Sequence, residues 1–195
     1  MKRGKLIVFY GINNVGKSTQ ADLLKSRLKK EGVKVVFYKI PQYTVEPAGV
    51  MIDEYLRKHN PYKLSPREAQ LLYALDRSNF RMELERLLSS GTWVIFEDYW
   101  GTGVMWGVGR GVSKKFLLRV NADNIQEDLT FLLKGKRLKA AKEKVHINEH
   151  DDALTAKVGK ISVELAKEFK WKIINGNQSI EEVHEDIWTE VQKIL

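Results

Sequence analysis

The residues with the most recognisable chemistry lie near the start of the chain, in the segment Gly11-Ile12-Asn13-Asn14-Val15-Gly16-Lys17-Ser18. This segment matches the pattern G-x-x-x-x-G-K-[ST] in full. Its glycines let the backbone wrap tightly, so that successive N–H groups point at phosphate oxygens. The lysine of this pattern reaches the β- and γ-phosphates, and the serine hydroxyl meets Mg²⁺. The pattern therefore predicts a site for the phosphates of a nucleoside triphosphate.

The elements around this loop are those that the pattern requires. An apolar run at residues 6–10 precedes it, and residues 17–30 have the apolar spacing of an amphipathic helix, whose N-terminus attracts anions. An ordinary glycine-rich turn between a strand and a helix is the alternative. The loop does not identify the phosphate acceptor, because GTPases, ATPases and small-molecule kinases all use it. The residues predicted to bind the donor are Gly11, Asn13, Asn14, Gly16, Lys17, Ser18 and Thr19.

The rest of the chain alternates between strand and helix patterns, which predicts an α/β fold with a parallel sheet covered on both faces. Ser65, Pro66 and Glu68 form a strong helix start, with a serine cap, a proline in the first turn and a capping-box glutamate. We predict strands at residues 5–10, 34–40, 93–96, 128–133 and 171–175, and helices at residues 17–30, 47–57, 66–88 and 179–194.

Length and composition restrict the class of protein. The 195 residues fit a single domain spanning 1–195, and no apolar run approaches the roughly 18 residues that a membrane-spanning helix needs. Cysteine is absent, which excludes disulfides and thiolate metal sites and favours a cytoplasmic protein. The net charge of +8 suits nucleotides and nucleic acids alike, but no nucleic-acid-binding motif is present. We therefore expect small-molecule nucleotides as partners, and neither nucleic acid nor a membrane.

Several segments, in their order along the chain, resemble the thymidylate kinase family. Residues 9–20 resemble its first strand and phosphate loop, and Glu46-Pro47-Ala48-Gly49 resembles the loop after its second strand. Leu72-Tyr73-Ala74-Leu75-Asp76-Arg77 resembles its base-binding helix, and Glu97-Asp98-Tyr99 stands where the family has Asp-Arg-Tyr. Ser179-Ile180-Glu181-Glu182-Val183-His184 resembles the closing helix. The resemblance covers nearly the whole chain.

The resemblance implies a P-loop kinase fold with a five-stranded parallel sheet in the order 2-3-1-4-5. It implies ATP with Mg²⁺ as the donor system, thymidine monophosphate as the acceptor and a homodimer. By position, Tyr73 would stack on the thymine and Arg77 would hydrogen-bond the base. Trp106 falls near the aromatic residue that packs against the deoxyribose.

The residues themselves support these roles only in part. Tyr73 and Arg77 are four positions apart and share a helix face, and a ring with a guanidinium group suits a flat polar base. The alternative is a core tyrosine beside a surface charge. For Trp106 the alternative is core packing, and the surrounding glycines predict a loop or a loosened helix start.

A lysine-rich segment at residues 134–150 falls where the family has a lid that closes on the phosphates. The alternative is a solvated helix face. Within this segment Arg137 is the predicted transition-state cation, which completes a catalytic set of Lys17, Glu97 and Arg137. Ser18 and Glu97 are the residues predicted to hold the metal.

The departures from the family pattern concentrate at the acceptor site. Asp98 replaces the arginine that binds the acceptor phosphate, and Val45 replaces the arginine of the second loop. Asn13 replaces an aspartate that meets the sugar, Glu97 replaces an aspartate, and Tyr10 replaces the glutamate before the first glycine. The donor site is therefore complete, whereas the acceptor site has lost expected positive charges.

Three interpretations remain open at this point. In the first, the chain is a thymidylate kinase that rebuilds its acceptor site with Arg77, Arg110 or Arg119. In the second, it is a kinase of a less charged acceptor, such as a deoxynucleoside. In the third, it is a nucleotide-binding relative with weak or no catalysis. The residues predicted to contact the acceptor are Tyr73, Arg77, Asp98, Trp106 and Arg110.

Overall fold

A computed structural model describes residues 2–137 and 151–195 of the chain. Parallel strands form one five-stranded sheet in the order β2-β3-β1-β4-β5, which confirms the predicted fold class and strand order. The strands are β1 (Leu6–Tyr10), β2 (Val35–Lys39), β3 (Trp93–Glu97), β4 (Leu129–Lys134) and β5 (Lys172–Asn175). The carboxyl ends of such strands meet at one edge of the sheet, where α/β proteins bind their ligands.

Helices cover both faces of this sheet. In chain order, the helices of the described residues are α1 (Lys17–Lys30), α2 (Ala48–Arg57), α3 (Pro66–Ser89), α4 (Trp100–Gly109), α5 (Lys114–Val120), α6 (Asp152–Glu168) and α7 (Ile180–Val191). A short 3₁₀ turn, Gln192–Ile194, follows α7. None of these helices is long and apolar enough to cross a membrane.

Strand β1 is buried on both faces, and its side chains alternate between two cores. Leu6, Val8 and Tyr10 pack with residues of α3, α4 and α6, whereas Ile7 and Phe9 pack with residues of α1 and α7. A continuous run of apolar residues is the pattern expected of a central parallel strand with helices on both faces. This burial fixes the strand from which the phosphate loop emerges.

Helix α3 begins as predicted. The Ser65 hydroxyl accepts a hydrogen bond from the Glu68 backbone N–H, and the Glu68 carboxylate accepts one from the Ser65 N–H. This reciprocal capping box satisfies donors that the first turn would otherwise leave without partners. It fixes the start of the helix that carries Tyr73 and Arg77.

The prediction of a loop or a loosened helix start around Trp106 is wrong. Residues Trp100–Gly109 form the regular helix α4, and most of its residues are buried. The glycines permit close packing on several sides: a Cβ atom at Gly101 would lie 2.7 Å from both the Trp171 and Tyr10 rings, and one at Gly107 would lie 2.7 Å from Leu117. Tertiary contact therefore outweighs the low helix propensity of glycine here.

Candidate active site

The loop between β1 and α1 has the backbone conformation of a phosphate-binding loop. Asn14 and Gly16 adopt the left-handed region, with φ of 64° and 93°, and α1 begins directly after Gly16 without a side-chain cap. The N–H groups of the first turn are therefore left to a ligand, and the positive end of the helix dipole points at the same place. Anions bind readily at such a site.

Lys17 is held over this loop by the loop itself. Its Nζ atom donates hydrogen bonds to the carbonyl oxygens of Gly11, at 3.0 Å, and Ile12, at 3.1 Å. Only 4% of the side chain is exposed, and Nζ also lies 3.7 Å from Asp98 Oδ2. The lysine charge is thus already placed where the phosphate oxygens of a donor would arrive.

Ser18 and Glu97 meet at the carboxyl edge of the sheet. The Ser18 hydroxyl donates a hydrogen bond of 2.6 Å to Glu97 Oε2. Lys39, the last residue of β2, donates to the Ser18 hydroxyl at 2.8 Å and lies 3.3 Å from the same Glu97 oxygen. Two oxygen atoms of the kind that Mg²⁺ prefers therefore lie together, with a lysine balancing the carboxylate charge.

Two adjoining clefts open beside these groups. The polar cleft is lined by the phosphate-loop residues Asn13, Asn14, Lys17 and Ser18 together with Lys39, Ile40, Pro41, Tyr43, Arg57, Glu97 and Asp98. The aromatic cleft is lined mainly by α2, α3 and α4, and its rings are those of Tyr43, Tyr55, Tyr73, Tyr99 and Trp106. Asn13, Ile40, Pro41, Tyr43 and Asp98 line both clefts.

Arg77 lies in the wall of the aromatic cleft, with only 4% of its surface exposed. Its Nη2 atom donates a hydrogen bond of 2.7 Å to Asn121 Oδ1, and its Nε atom is buried without a hydrogen-bond partner. Burial lowers the pKa of Arg77 to about 10, which leaves the guanidinium group charged at neutral pH. The interpretation of Arg77 as a surface charge is therefore wrong.

Tyr73 and Trp106 face the same cleft from α3 and α4. Tyr73 is half-buried, and desolvation raises the pKa of its hydroxyl well above the usual value, which keeps the ring neutral. Trp106 is buried apart from the surface that lines the cleft. The structure thus brings Tyr73, Arg77 and Trp106 together around one cleft, with two aromatic rings and a guanidinium group facing the same space.

Asp98 stands at the junction of the two clefts. Its backbone is left-handed, with φ of 65°, a conformation in which aspartate and asparagine are enriched. The Thr102 hydroxyl donates a hydrogen bond of 2.7 Å to Asp98 Oδ1. Burial and the neighbouring Glu97 carboxylate raise the pKa of Asp98 to about 6, although Lys17 opposes the shift. At neutral pH a carboxylate therefore faces the place where the clefts meet.

The other predicted cations lie apart from this junction. Arg110 follows α4 and lines the aromatic cleft but not the polar cleft. Arg119 is exposed on α5 and lines neither cleft. Arg137 lies beside the start of α6, with its Nη1 atom 3.3 Å from Asp152 Oδ1 and 3.4 Å from Thr155 Oγ1. The catalytic role of Arg137 stays a prediction.

The lid prediction falls largely outside the described residues. Lys134 ends β4, and Lys136 and Arg137 follow it. The remaining basic residues of the predicted lid lie within 138–150.

Tyr10 joins three segments at the base of the site. Its fully buried hydroxyl donates a hydrogen bond of 2.7 Å to Glu127 Oε1 and accepts one of 3.1 Å from the Gly101 N–H. Burial raises the pKa of Glu127, while the hydrogen bond from Tyr10 opposes the shift. Tyr10 replaces a glutamate of the family pattern, but the carboxylate of Glu127, from the segment before β4, lies next to its hydroxyl group.

Two basic residues of the polar cleft, Lys39 and Arg57, were not predicted from the sequence as site residues. Arg57 ends α2, and its guanidinium carbon lies 4.4 Å from the centre of the Tyr43 ring. For Lys39 a signal was available, because it lies one residue before the end of the strand predicted at residues 34–40, and the carboxyl ends of parallel strands converge. For Arg57 no local pattern pointed to the cleft.

Thr19 faces a further cleft on the opposite side of the phosphate loop. Gly16, Lys136, Gly176 and Gln178 also line this cleft. It is therefore a candidate position for the nucleoside of a donor whose phosphates lie on the loop.

Comparison with known proteins agrees with this geometry. The family described as thymidylate kinase matches residues 9–187. A thymidylate kinase from Halothermothrix orenii is 31% identical over 210 residues, covering 99% of each chain. One from Dictyostelium discoideum is 29% identical over 190 residues, covering 96% of this chain and 84% of the relative.

The fold comparison points the same way. The solved structure of thymidylate kinase from Candida albicans superposes with a TM-score of 0.81 at 24% identity, covering 98% of this chain and 92% of that one. At this identity the likeness concerns the fold, whereas the family match rests on the sequence comparison. The chain belongs to the thymidylate kinase family.

Proposed function

We propose that this protein transfers the γ-phosphoryl group of ATP to thymidine monophosphate, with the donor phosphates on the loop at residues 11–18 and the acceptor nucleoside in the aromatic cleft. The observation that carries the proposal is the shared wall of the two clefts, at Asn13, Tyr43 and Asp98. A nucleoside in one cleft and a triphosphate in the other would approach each other there, with Lys17 at the meeting point. Holding two reactants in this way is a large part of phosphoryl-transfer catalysis.

The residues present fit Mg²⁺. The Ser18 hydroxyl and the Glu97 carboxylate offer adjacent oxygen atoms, and no cluster of three or more His, Cys, Asp or Glu side chains suited to a metal occurs in the described ranges. A site with one or two protein oxygens, completed by phosphates and waters, is the usual arrangement for this ion. When bound, Mg²⁺ would neutralise developing charge on the phosphate oxygens.

The chain's own residues supply the remaining steps. The N–H groups of the phosphate loop and Lys17 would orient the donor, and Tyr73 and Trp106 would enclose the acceptor base and sugar. Arg77 would donate hydrogen bonds to the base from a dry wall. Arg137, from the predicted lid segment, would approach the phosphates only after leaving Asp152 and Thr155.

A homodimer in the cytoplasm completes the proposal. Leu71, Leu75 and Met82 lie on one face of α3 and are exposed, with 82% of Met82 accessible. Exposed apolar residues on one helix face are typical of an association surface. Light scattering should give twice the mass of the chain, and Met82→Lys should return the mass to that of one chain.

An ADP-release assay with ATP, Mg²⁺ and a panel of nucleosides and nucleoside monophosphates tests the acceptor. We expect thymidine monophosphate to give the highest kcat/KM, and Arg77→Ala to raise its KM far more than the KM for ATP. Arg81→Ala, one turn further along α3 and exposed, is the matched control.

A preference for nucleosides would instead favour the deoxynucleoside kinase interpretation, with which the carboxylate of Asp98 is compatible. No turnover with any acceptor would favour a nucleotide-binding relative.

A further inference from the structure

The acceptor phosphate has an electrostatic problem at the junction of the clefts. With its nucleoside in the aromatic cleft, thymidine monophosphate would extend its phosphate past Tyr43 and Asp98 into the polar cleft. The Asp98 carboxylate repels that dianion, and Val45, which stands where the family has an arginine, offers no compensating charge. A phosphate bound there therefore needs a cation from another part of the fold.

Arg57 is placed to be that cation. Among the described residues that line the polar cleft, Arg57 is the one arginine, and its side chain is 23% exposed. Its guanidinium group stacks on the ring of Tyr43, 4.4 Å from the ring centre, and Tyr43 belongs to both clefts. The guanidinium group is attracted to the face of this ring and carries its N–H donors in one planar fork.

The other cations of the polar cleft have partners on the donor side. Lys17 is bound by the carbonyl groups of its own loop, and Lys39 contacts Ser18 and Glu97. Arg57 instead pairs with Asp53, one turn back on α2, with 2.5 Å between Nη1 and Oδ1. Asp53 is 36% exposed, so this pair is partly solvated and contributes little that would oppose a phosphate.

The arginines named from the sequence lie elsewhere. Arg77 lies in the wall of the aromatic cleft, and neither it nor Arg110 nor Arg119 lines the polar cleft. Three cations and two carboxylates line that cleft, which leaves it positive when all are ionised. Without Arg57 the charges would balance, and the attraction for a dianion would be lost.

We propose that Arg57 binds the phosphate of the acceptor, so that a cation at the end of α2 replaces the arginines missing at positions 45 and 98. Its guanidinium group forms charge-assisted hydrogen bonds with phosphate oxygens, in competition with its partly solvated ion pair with Asp53. This inference rests on the proposed function and specifies the acceptor class within it. A nucleoside has no group for Arg57 to bind, so the residue selects monophosphates.

Calorimetry with two ligands tests this assignment without turnover. Thymidine monophosphate and thymidine are titrated separately into the wild type, Arg57→Ala, Arg57→Lys and Lys58→Ala. Lys58 is the matched control, because it follows Arg57 directly and pairs with Glu54 one turn back, yet does not line either cleft. Thermal unfolding of each variant checks that the protein remains folded.

We expect Arg57→Ala to weaken thymidine monophosphate binding by about ten- to a hundredfold, the usual effect of removing a charged hydrogen-bonding partner. The affinity of Arg57→Ala for thymidine should differ from that of the wild type by less than about twofold. The affinity of Arg57→Lys for thymidine monophosphate should lie between those of the wild type and Arg57→Ala, since lysine keeps the charge but not the planar fork of N–H groups. Lys58→Ala should bind both compounds as the wild type does.

Two results would overturn the role of Arg57 alone. In the first, Arg57→Ala binds thymidine monophosphate as the wild type does. In the second, the variant loses affinity for thymidine to the same extent, which would make Arg57 a support for Tyr43 rather than a phosphate ligand. A wild type that binds neither compound would overturn the proposed acceptor, and Arg57 with it.

Discussion

Lys17 Nζ and Asp98 Oδ2 lie 3.7 Å apart, so an acidic side chain stands beside the phosphate-loop lysine at the junction of the two clefts. This pair decides how the charge of an incoming acceptor is received. The carboxylate attracts Lys17, which the loop carbonyl groups already hold, but it also repels the phosphate that Lys17 should help to attract.

Asp98→Asn should therefore strengthen thymidine monophosphate binding in the absence of ATP by about tenfold, because it removes a like charge from a partly dry site. Asparagine also tolerates the left-handed backbone and can still accept the hydrogen bond from Thr102. Calorimetry at pH 7.5 measures the effect, with the exposed Asp22→Asn as control. An unchanged affinity would show that Lys17 already neutralises Asp98.

Glu97→Gln should lower kcat by about ten- to a hundredfold and raise the Mg²⁺ concentration needed for half-maximal activity. The substitution keeps the shape of the side chain but removes the charge beside Ser18. A titration of activity against Mg²⁺ checks this, and Glu181→Gln at the exposed start of α7 serves as the control. If the Mg²⁺ dependence stays that of the wild type, Ser18 and Glu97 are not the metal site.

Tyr10→Phe should destabilise the fold in a pH-dependent way. Burial already raises the pKa of Glu127 above 4.5, so wild-type stability falls as pH rises from the unfolded pKa through the folded one. Removing the Tyr10 hydrogen bond raises that pKa further and enlarges the loss at high pH. We expect a decrease in the free energy of unfolding of about 1–3 kcal/mol at pH 8, and a smaller decrease near pH 5.

Urea unfolding at the two pH values measures this difference. Tyr38→Phe, which removes a hydroxyl group from a half-buried ring, gives the background. A Tyr10→Phe decrease that is equal at both pH values would mean that Glu127 does not depend on the tyrosine hydroxyl for its ionised form.

Gly101→Ala should decrease the free energy of unfolding by about 1–3 kcal/mol, because the new methyl group would lie 2.7 Å from two aromatic rings that cannot easily move. Gly159→Ala is the matched control, since a Cβ atom there meets nothing within 4 Å in helix α6. It should instead stabilise the protein by about 0.5–1 kcal/mol. Thermal unfolding compares the two, and a stable Gly101→Ala protein would mean that α4 shifts freely.

The features predicted correctly from the sequence depend on residues that are close together in the chain. The phosphate loop, the capping box at Ser65 and Glu68, and the apolar run of β1 each carry their signal within a few positions. The strand order came from the family resemblance, because local patterns do not determine which strands pair.

The features that were missed depend on contacts between distant parts of the chain. Helix α4 contains glycines that each disfavour a helix by about 1 kcal/mol, and only its close packing against Tyr10, Leu117 and Trp171 explains it. Arg57 likewise reaches the polar cleft only because α2 packs against α3 and brings its last turn over Tyr43. Neither relation leaves a pattern in the neighbouring residues.

The hydrogen bond between the Tyr10 hydroxyl and the Gly101 N–H has a consequence for how the two reactants are aligned. Tyr10 leads directly into the phosphate loop, and Gly101 lies in the first turn of the helix that carries Trp106. The spacing between donor loop and acceptor wall is thus set by a buried bond that forms when the chain folds. The substrates therefore do not have to create this alignment when they bind. Part of the entropy that is lost in aligning the two reactants is already lost when the protein folds.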